Sequence, residues 1–234
     1  MVEKISQRIF LALDTTEIEK AVKLTRRLAS YIGGVKLGKE FFAANGPEGV
    51  RAIASIGLPI FLDLKFFDIP NTILAAVASV SQLKPAMISI HISGGCKMLK
   101  AAKNALKKFG DSRPLLIGVT VLTSFGDEDL RALGIKDSVS DQVTRLAGLA
   151  LESGIDGVVC SAHEATQLRK IGGAQFKLVV PGVRPSWTSD NDQRRTATPA
   201  EAMRWGADYL VIGRPITSAK DPREAAAKIA RELE

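Results

Sequence analysis

The sequence predicts a single-domain α/β fold, a (β/α)8 TIM barrel that spans residues 1–234. Short apolar runs rich in β-branched residues alternate with amphipathic helical patterns about eight times, as a parallel α/β fold requires. Charged and polar side chains recur where these runs end, which is where barrel enzymes place their active sites. A doubly wound open sheet is the alternative, but no G-x-G-x-x-G motif follows the first run.

The predicted strands are short and evenly spaced along the chain. They are Ile9–Leu13, Gly34–Leu37, Ile60–Leu64, Met87–Ile92, Leu115–Leu122, Gly157–Ser161, Leu178–Pro181 and Tyr209–Ile212. Helical patterns lie between them, at Glu17–Tyr31, Thr72–Leu83, Cys96–Phe109, Ser138–Glu152, Ala162–Ile171, Pro199–Trp205 and Pro222–Leu233. No Pro/Gly/Ser-rich linker or low-complexity segment interrupts the series, so one domain is the simplest interpretation.

Composition narrows the class of protein. No apolar run approaches the ~18–20 residues of a membrane span, and the apolar stretch near the N-terminus is too short for a secretory signal. We therefore expect a cytoplasmic protein without a membrane partner. Cys96 and Cys160 lack the spacing of a zinc site or a disulfide framework, which predicts that the protein holds no metal.

The chain is basic, with a net charge of +7 and a pI near 9.5, which favours anionic ligands such as phosphorylated small molecules or nucleic acid. The densest basic patch has helical spacing and is typical of a solvated helix face. It comprises Lys97, Lys100, Lys103, Lys107 and Lys108. Aromatic residues make up only 6% and are not interleaved with these lysines, so we expect no nucleic-acid partner.

The most informative segment reads FLDLKFFDIPNT, from Phe61 to Thr72. Side chains alternate across a strand, so Asp63 and Lys65 share one face at the end of the third strand. Asp68 follows on the loop that Pro70 ends by opening a helix, which predicts a lysine flanked by two carboxylates.

A salt-bridged strand end would explain one Asp and one Lys two residues apart. The longer D-x-K-x-x-D pattern favours a functional cluster, because buried ion pairs seldom stabilise a core. Neighbouring carboxylates keep Lys65 protonated, which suits a proton donor or an electrostatic clamp and not a Schiff-base amine.

Other strand ends carry further candidates. Asp14 follows the first strand and serves equally well as a helix cap or as a site residue. Lys36 interrupts a short apolar strand, where an unpaired lysine is costly, so a partner or ligand is expected. Thr123 follows the fifth strand. His91 is interpreted as a structural, hydrogen-bonded residue near the mouth, and His163 as part of a helix start. A Ser-His-Asp or Cys-His apparatus is therefore poorly supported.

The last quarter of the chain predicts a phosphate site. Barrels often bind phosphate with the loops after strands seven and eight. The candidate ligands in those two loops are Arg184, Gln193, Gly213 and Arg214. The polar loop Ser186–Arg195 is long for a strand-to-helix turn and predicts a lid that closes over the ligand.

Taken together, these motifs closely resemble those of the orotidine 5'-phosphate decarboxylase family over nearly the whole chain. The matching segments are Ala12-Leu13-Asp14, Val35-Lys36-Leu37-Gly38, the Asp63/Lys65/Asp68 run with Ile69, Pro70 and Thr72, Val119–Thr123, Pro181-Gly182-Val183-Arg184 and Gly213-Arg214-Pro215-Ile216. The resemblance implies a homodimeric barrel that converts orotidine 5'-monophosphate to uridine 5'-monophosphate and carbon dioxide, the last step of UMP biosynthesis, without a cofactor.

The resemblance also implies a role for each candidate residue. Lys65 would protonate C6 of the pyrimidine, and Asp63 would lie beside the departing carboxylate. Lys36 and Asp14 would hold the ribose hydroxyls and the charge network, and Thr123 would contact the pyrimidine. Phosphate would be bound by Arg184, Gln193, Arg214 and the backbone N–H of Gly213. Asp68 and Thr72 would reach into the neighbouring subunit's site.

Two alternatives remain at this stage. One is a magnesium-dependent keto-sugar-phosphate decarboxylase or aldolase of the same suprafamily. Such relatives place a metal-binding glutamate where this chain has Lys36, and a protonated lysine cannot ligate magnesium. The other is a non-catalytic protein that binds phosphorylated ligands or nucleic acid, which leaves the Asp63/Lys65 pattern unexplained.

Overall fold

The computed structural model describes residues 5–187 and 197–233, and in them eight parallel strands close into a barrel. The strands are β1 (Ile9–Leu13), β2 (Gly34–Gly38), β3 (Ile60–Phe66), β4 (Met87–His91), β5 (Leu115–Val119), β6 (Gly157–Val159), β7 (Lys177–Pro181) and β8 (Tyr209–Ile212). Each strand pairs with its neighbour in sequence, and β8 pairs with β1 to close the ring. The predicted (β/α)8 architecture is confirmed.

Helices connect the strands on the outside of the barrel. Within the described ranges they are α1 (Ile18–Leu28), α2 (Lys39–Ala54), α3 (Pro70–Ser81), α4 (Gly95–Leu106), α5 (Asp127–Ala132), α6 (Val139–Glu152), α7 (Ala162–Gly172), α8 (Pro199–Arg204), α9 (Arg214–Thr217) and α10 (Pro222–Glu232). Short 3-10 segments occupy Ile5–Arg8, Ile92–Gly94 and Lys107–Ser112. None of the helices in this part of the chain has the length and apolarity that crossing a membrane requires.

Strand alternation divides the apolar side chains into two layers. One set fills the barrel interior: Phe10, Ala12, Phe61, Met87, Ile117, Val179 and Val211. The larger set packs between the strands and the helices and includes Leu62 and Leu64. In β3 the inward positions therefore pass from Phe61 to Asp63 and Lys65, so an apolar interior gives way to charge at the carboxyl end.

Three strands end earlier than the sequence predicts. β4 ends at His91, β5 at Val119 instead of Leu122, and β6 at Val159 instead of Ser161. Past Val119 the Thr120 hydroxyl, rather than a further ladder bond, donates to the Val159 carbonyl at 2.9 Å. Ser161 caps α7 through its own side chain, so it belongs to the helix start.

Three helices were absent from the prediction. α2 contains Gly46 at φ 56° followed by Pro47, and this Gly-Pro pair resembles a loop although the helical path resumes after the kink. α5 and α9 are single short elements of 6 and 4 residues, too short to show an apolar period.

The carboxyl end of β3 departs from a regular strand. Its register with β4 passes from Leu62↔Ile88 directly to Phe66↔Ile90, so three residues of β3 lie opposite one residue of β4. Lys65, within this bulge, has a φ of 50°, in the left-handed region that side-chain-bearing residues rarely adopt. Such strain persists where surrounding contacts hold it and is found most often at functional sites.

Candidate active site at the carboxyl end of the barrel

A cavity of about 210 Å³ opens at the carboxyl ends of the strands. It is lined by Lys36, Phe61, Asp63, Lys65, Val119, Val121, Leu122, Thr123, Val159, Val179, Pro181 and Val211. Apolar walls surround three charged groups, an arrangement that suits a small ligand with an anionic part. A larger cavity of about 620 Å³ lies at the amino end of the barrel, but no charged side chain of residues 5–187 or 197–233 lines it.

Four charged side chains form a chain across this site, with alternating sign. Lys65 Nζ lies 2.6 Å from Asp63 Oδ2, and Lys36 Nζ lies 4.0 Å from the same oxygen. Lys36 Nζ also donates to Asp14 Oδ1 at 3.1 Å.

The predicted partner for Lys36 is therefore present, and Asp14 pairs with Lys36 instead of capping α1, which begins at Ile18 without a side-chain cap. Asp63 is the most enclosed member, with 6% of its surface exposed. Water screens it least, so its interactions with the two ammonium groups are the strongest in the chain.

Sequence reasoning missed Ser89, which is fully buried in the middle of β4. Its hydroxyl donates to Asp63 Oδ1 at 2.8 Å and accepts the backbone N–H of Lys65, also at 2.8 Å. A signal existed in the sequence, because Ser89 is the polar centre of the apolar run Met87–His91 and alternation predicts that it points inward.

His91 lies half-buried beside the charged chain and packs against Phe67, with ring centroids 5.7 Å apart. Burial lowers the pKa of its imidazole, and the positive charges of Lys39 and Lys65 lower it further, against an opposing contribution from Asp63. The imidazole of His91 therefore favours its neutral form at pH 7. His163 lies in the first turn of α7 and packs against Trp205.

Asp68 is not brought to Lys65. Beyond the β3 bulge the chain leads outward, and the Asp68 carboxylate accepts the backbone N–H of Ile69 at 2.6 Å. Among the described residues the ion pair of Lys65 is with Asp63, so the expectation of two flanking carboxylates within one chain is wrong. Asp68 and Thr72 both lie on the surface, and the side chain of Phe67, the residue before Asp68, is exposed as well.

The two predicted phosphate-binding loops follow neighbouring strands. Arg184 comes three residues after Pro181, the last residue of β7, and is 7% exposed. Arg214 is exposed and begins α9 directly after Gly213. A Cβ at Gly213 would lie 3.3 Å from Ala12 Cβ, so this backbone runs close to β1. Gln193 and most of the predicted lid Ser186–Arg195 lie outside the described residues.

The side chains of the site determine whether it could hold a metal ion. Within the described ranges, no group of three or more His, Cys, Asp or Glu side chains comes together as a metal site. Asp14 and Asp63 are instead separated by the ammonium group of Lys36. Divalent cations such as Mg²⁺ require several oxygen ligands, and a cation between two carboxylates repels a second one.

A family model described as "Orotidine 5'-phosphate decarboxylase / HUMPS family" matches residues 7–229. The chain is 51% identical to an orotidine 5'-phosphate decarboxylase of Rhodospirillum rubrum, over 100% of this chain and 96% of that protein. It is 49% identical to one of Paramagnetospirillum magneticum, over 96% and 97% of the two chains.

Two solved structures share the fold of this chain over nearly its whole length. The crystal structure of orotidine 5'-phosphate decarboxylase from Lactobacillus acidophilus superposes with a TM-score of 0.83, at 36% identity, over 97% of this chain and 98% of that chain. An uncharacterized conserved protein from Geobacillus kaustophilus has a TM-score of 0.84 at 35% identity, over 97% of this chain and 100% of that one.

Proposed function

The chain belongs to the orotidine 5'-phosphate decarboxylase / HUMPS family, and from this membership we infer that it is a carboxy-lyase that converts orotidine 5'-monophosphate to uridine 5'-monophosphate and carbon dioxide. The reaction is the last step of UMP biosynthesis. The observation that carries this function is the chain of alternating charge, in which the ammonium group of Lys65 lies 2.6 Å from Asp63 at the edge of an apolar cavity.

Lys65 is assigned as the proton donor. When carbon dioxide leaves C6 of the pyrimidine, the electron pair of the broken C–C bond remains on that carbon, where no adjacent carbonyl delocalises it. A fixed ammonium group stabilises the developing carbanion and then transfers its proton to C6. The position of Lys65 supports this role, because its side chain lines the cavity.

Asp63 is assigned to orient Lys65 and to face the carboxylate of the substrate. Its oxygens are already engaged by Ser89 on one side and by two ammonium groups on the other. A substrate carboxylate placed next to this buried anion is repelled, and the repulsion is relieved when neutral carbon dioxide departs.

The remaining assignments follow the parts of the substrate. Lys36 and Asp14 hold the ribose hydroxyls, and Thr123 contacts the pyrimidine from the cavity wall. Arg184, Arg214, Gln193 and the backbone N–H of Gly213 bind the phosphate. Phosphate binding is remote from the reacting carbon, so its energy orients the base for the chemical step.

We also assign a homodimer in which Asp68 and Thr72 complete the neighbouring site. Support comes from the apolar side chains around them, because Phe67 is 61% exposed and Ile69 is 67% exposed in the single chain. Exposed apolar patches of this kind mark interfaces. Cys96 and Cys160 form no disulfide within the described residues, which suits a reducing compartment and supports a cytoplasmic location, to be tested by cell fractionation.

The shared site has a direct test. Lys65→Ala and Asp68→Asn subunits, each inactive alone, are mixed after reversible dissociation. Random pairing makes half of the dimers hybrid, and each hybrid contains one intact site, so activity returns to about a quarter of the wild-type value. No recovery in dimers shown by mass spectrometry to be hybrid would place Asp68 in its own subunit's site.

The metal-dependent branch of the family is the second candidate, and Lys36 argues against it. The experiment that decides is to mix the purified protein with orotidine 5'-monophosphate in excess EDTA and follow the loss of substrate absorbance, with chromatography to identify uridine 5'-monophosphate. Rapid conversion establishes the reaction and its independence of exchangeable divalent metal. Activity only on keto-sugar phosphates with magnesium would contradict the proposed decarboxylation of orotidine 5'-monophosphate.

A further inference from the structure

We propose that Ser89 is a positioning residue for the decarboxylation, because its single hydroxyl fixes both Asp63 and the backbone of Lys65. The inference rests on the proposed function. A serine hydroxyl has one proton to donate and lone pairs to accept. Here the proton goes to Asp63 Oδ1 at 2.8 Å, and a lone pair receives the Lys65 N–H at 2.8 Å.

The first contact selects which oxygen of Asp63 faces the lysines. With Oδ1 held by Ser89, Oδ2 is left 2.6 Å from Lys65 Nζ and 4.0 Å from Lys36 Nζ. Rotation of the carboxylate would break the bond to Ser89 inside a site where Asp63 is only 6% exposed. Hydrogen bonds to buried charged groups are among the stronger ones in a protein, so one orientation of the carboxylate stays dominant.

The second contact holds the bulge. Alternate residues of β3 direct their backbone groups towards β2 and towards β4: the Pro59 carbonyl accepts the Val35 N–H of β2, whereas the Ile60 carbonyl accepts the Ala86 N–H next to β4. A regular strand would therefore direct the Lys65 N–H towards β2, but in the bulge between Leu62↔Ile88 and Phe66↔Ile90 it reaches β4 instead. The Ser89 side chain accepts it there. It thereby stabilises a backbone with φ 50° at Lys65, a conformation that is unfavourable for a residue with a Cβ.

Both contacts act on the geometry of the reacting groups Asp63 and Lys65, and neither involves the predicted phosphate ligands. Ser89→Ala is therefore expected to lower kcat about 10- to 100-fold, since misplacement by about 1 Å costs a factor of that size. The KM for orotidine 5'-monophosphate is expected to stay within about twofold, because binding energy from remote groups is retained.

The matched control is Ser81→Ala. Ser81 is also buried, at 2% exposure, and its hydroxyl makes one bond, to the Val77 carbonyl within α3. Both variants lose a buried hydroxyl, so both lower the melting temperature, while only Ser89→Ala lowers kcat. Equal kcat values for the two folded variants, or a change confined to KM, would overturn the positioning role.

A second readout does not depend on turnover. Amide hydrogen exchange of Lys65, followed by NMR, should be at least about tenfold faster in Ser89→Ala than in the wild type, because its acceptor is gone. Unchanged exchange would contradict the proposal even if kcat fell. If the wild type fails to decarboxylate orotidine 5'-monophosphate, the proposed function is wrong, whereas faster exchange would still support the control of Lys65 by Ser89.

Discussion

The two ends of the barrel use charged residues in opposite ways. At the amino end, Asp156 precedes β6 and accepts the Leu116 N–H at 2.8 Å, while Arg113 binds both of its oxygens at 2.6 and 2.7 Å. Lys103 adds a third donor at 3.1 Å. Burial by itself raises the pKa of Asp156. The hydrogen bonds from Arg113, Leu116 and Lys103 together outweigh burial, so the pKa of Asp156 is lowered.

A second aspartate has the same arrangement two strands later. Asp208 precedes β8, accepts the N–H of Leu178 at 2.8 Å and pairs with Arg169. In both cases the aspartate satisfies the N–H of the second residue of the preceding strand. A carboxylate saturated by fixed donors contributes to stability and has no capacity left for a ligand.

At the carboxyl end, by contrast, the cations and anions of the Asp14–Lys36–Asp63–Lys65 chain line or border a cavity, and the backbone of Lys65 is strained. Ion pairs of similar length therefore have different roles at the two faces of the barrel. In barrels the amino face provides stability and the carboxyl face provides chemistry.

The largest effect is expected at the mouth. Lys65→Ala removes both the proton donor and the charge opposite the developing carbanion, so kcat falls on the order of 10⁴-fold or more. The variant still unfolds in one cooperative transition, because the barrel core is untouched. Steady-state kinetics and thermal unfolding measure both quantities. Turnover within tenfold of the wild type would remove Lys65 from the chemistry.

A stability effect is expected at the opposite end. Arg113→Ala leaves Asp156, whose side chain is 14% exposed, without its bidentate partner. We expect the free energy of unfolding to fall by about 1–3 kcal/mol, with kcat changed by less than about twofold. Urea unfolding and kinetics on the same preparation measure this. An exposed pair serves as control, because Arg145→Ala should cost less than about 0.5 kcal/mol. A large loss of kcat in Arg113→Ala would show that the two ends are coupled.

The two ends of the barrel should also affect stability in different pH ranges. The pKa of His91 is lowered in the folded protein, so the unfolded chain takes up the proton first, and stability falls as the pH drops below about 6.5. His91→Gln removes this loss. The lowered pKa of Asp156 stabilises the fold above about pH 3.9, and that contribution disappears only as the pH falls through the folded value.

Urea unfolding from about pH 7 to about pH 2 measures both windows. The decline in unfolding free energy that begins near neutral pH should be smaller in His91→Gln, and the steeper decline at acid pH should be smaller in Asp156→Asn. If Asp156→Asn altered the near-neutral part of the curve instead, the assignment of the windows to the two ends would be wrong.

The sequence predicted the barrel because strand periodicity and the position of charged residues are local signals. It also placed Asp63 and Lys65 on one face and required a partner for Lys36. It missed what depends on contacts between strands. The β3–β4 bulge, the role of Ser89 and the outward path of Asp68 arise from a register that no single segment encodes. α2 was missed because Gly46 and Pro47 form a turn signal that its packing overrides.

The smallest expected effect concerns strain. Lys65 at the mouth and Lys84 at the amino end are the two residues other than glycine with positive φ in the described ranges, at 50° and 53°. Lys84 follows α3, where its N–H donates to the Ser81 carbonyl at 3.0 Å, a common way to end a helix. In an ordinary strand, glycine is about 0.5–1 kcal/mol less stable than alanine. At both of these positions the glycine variant should instead be more stable than the alanine variant by about 1 kcal/mol, because glycine adopts positive φ without strain.

The two ends should nevertheless differ in activity. Lys84→Gly should be more stable than Lys84→Ala and keep full turnover, because strain at a helix end serves no step of the reaction. Lys65→Gly should be more stable than Lys65→Ala and inactive, because at the mouth the strained backbone carries the reacting ammonium group. Chemical unfolding of all four variants, together with kinetics, measures this. Equal stability of Lys65→Gly and Lys65→Ala would mean that the bulge is not strained, and the mouth would then differ from the amino end in charge alone.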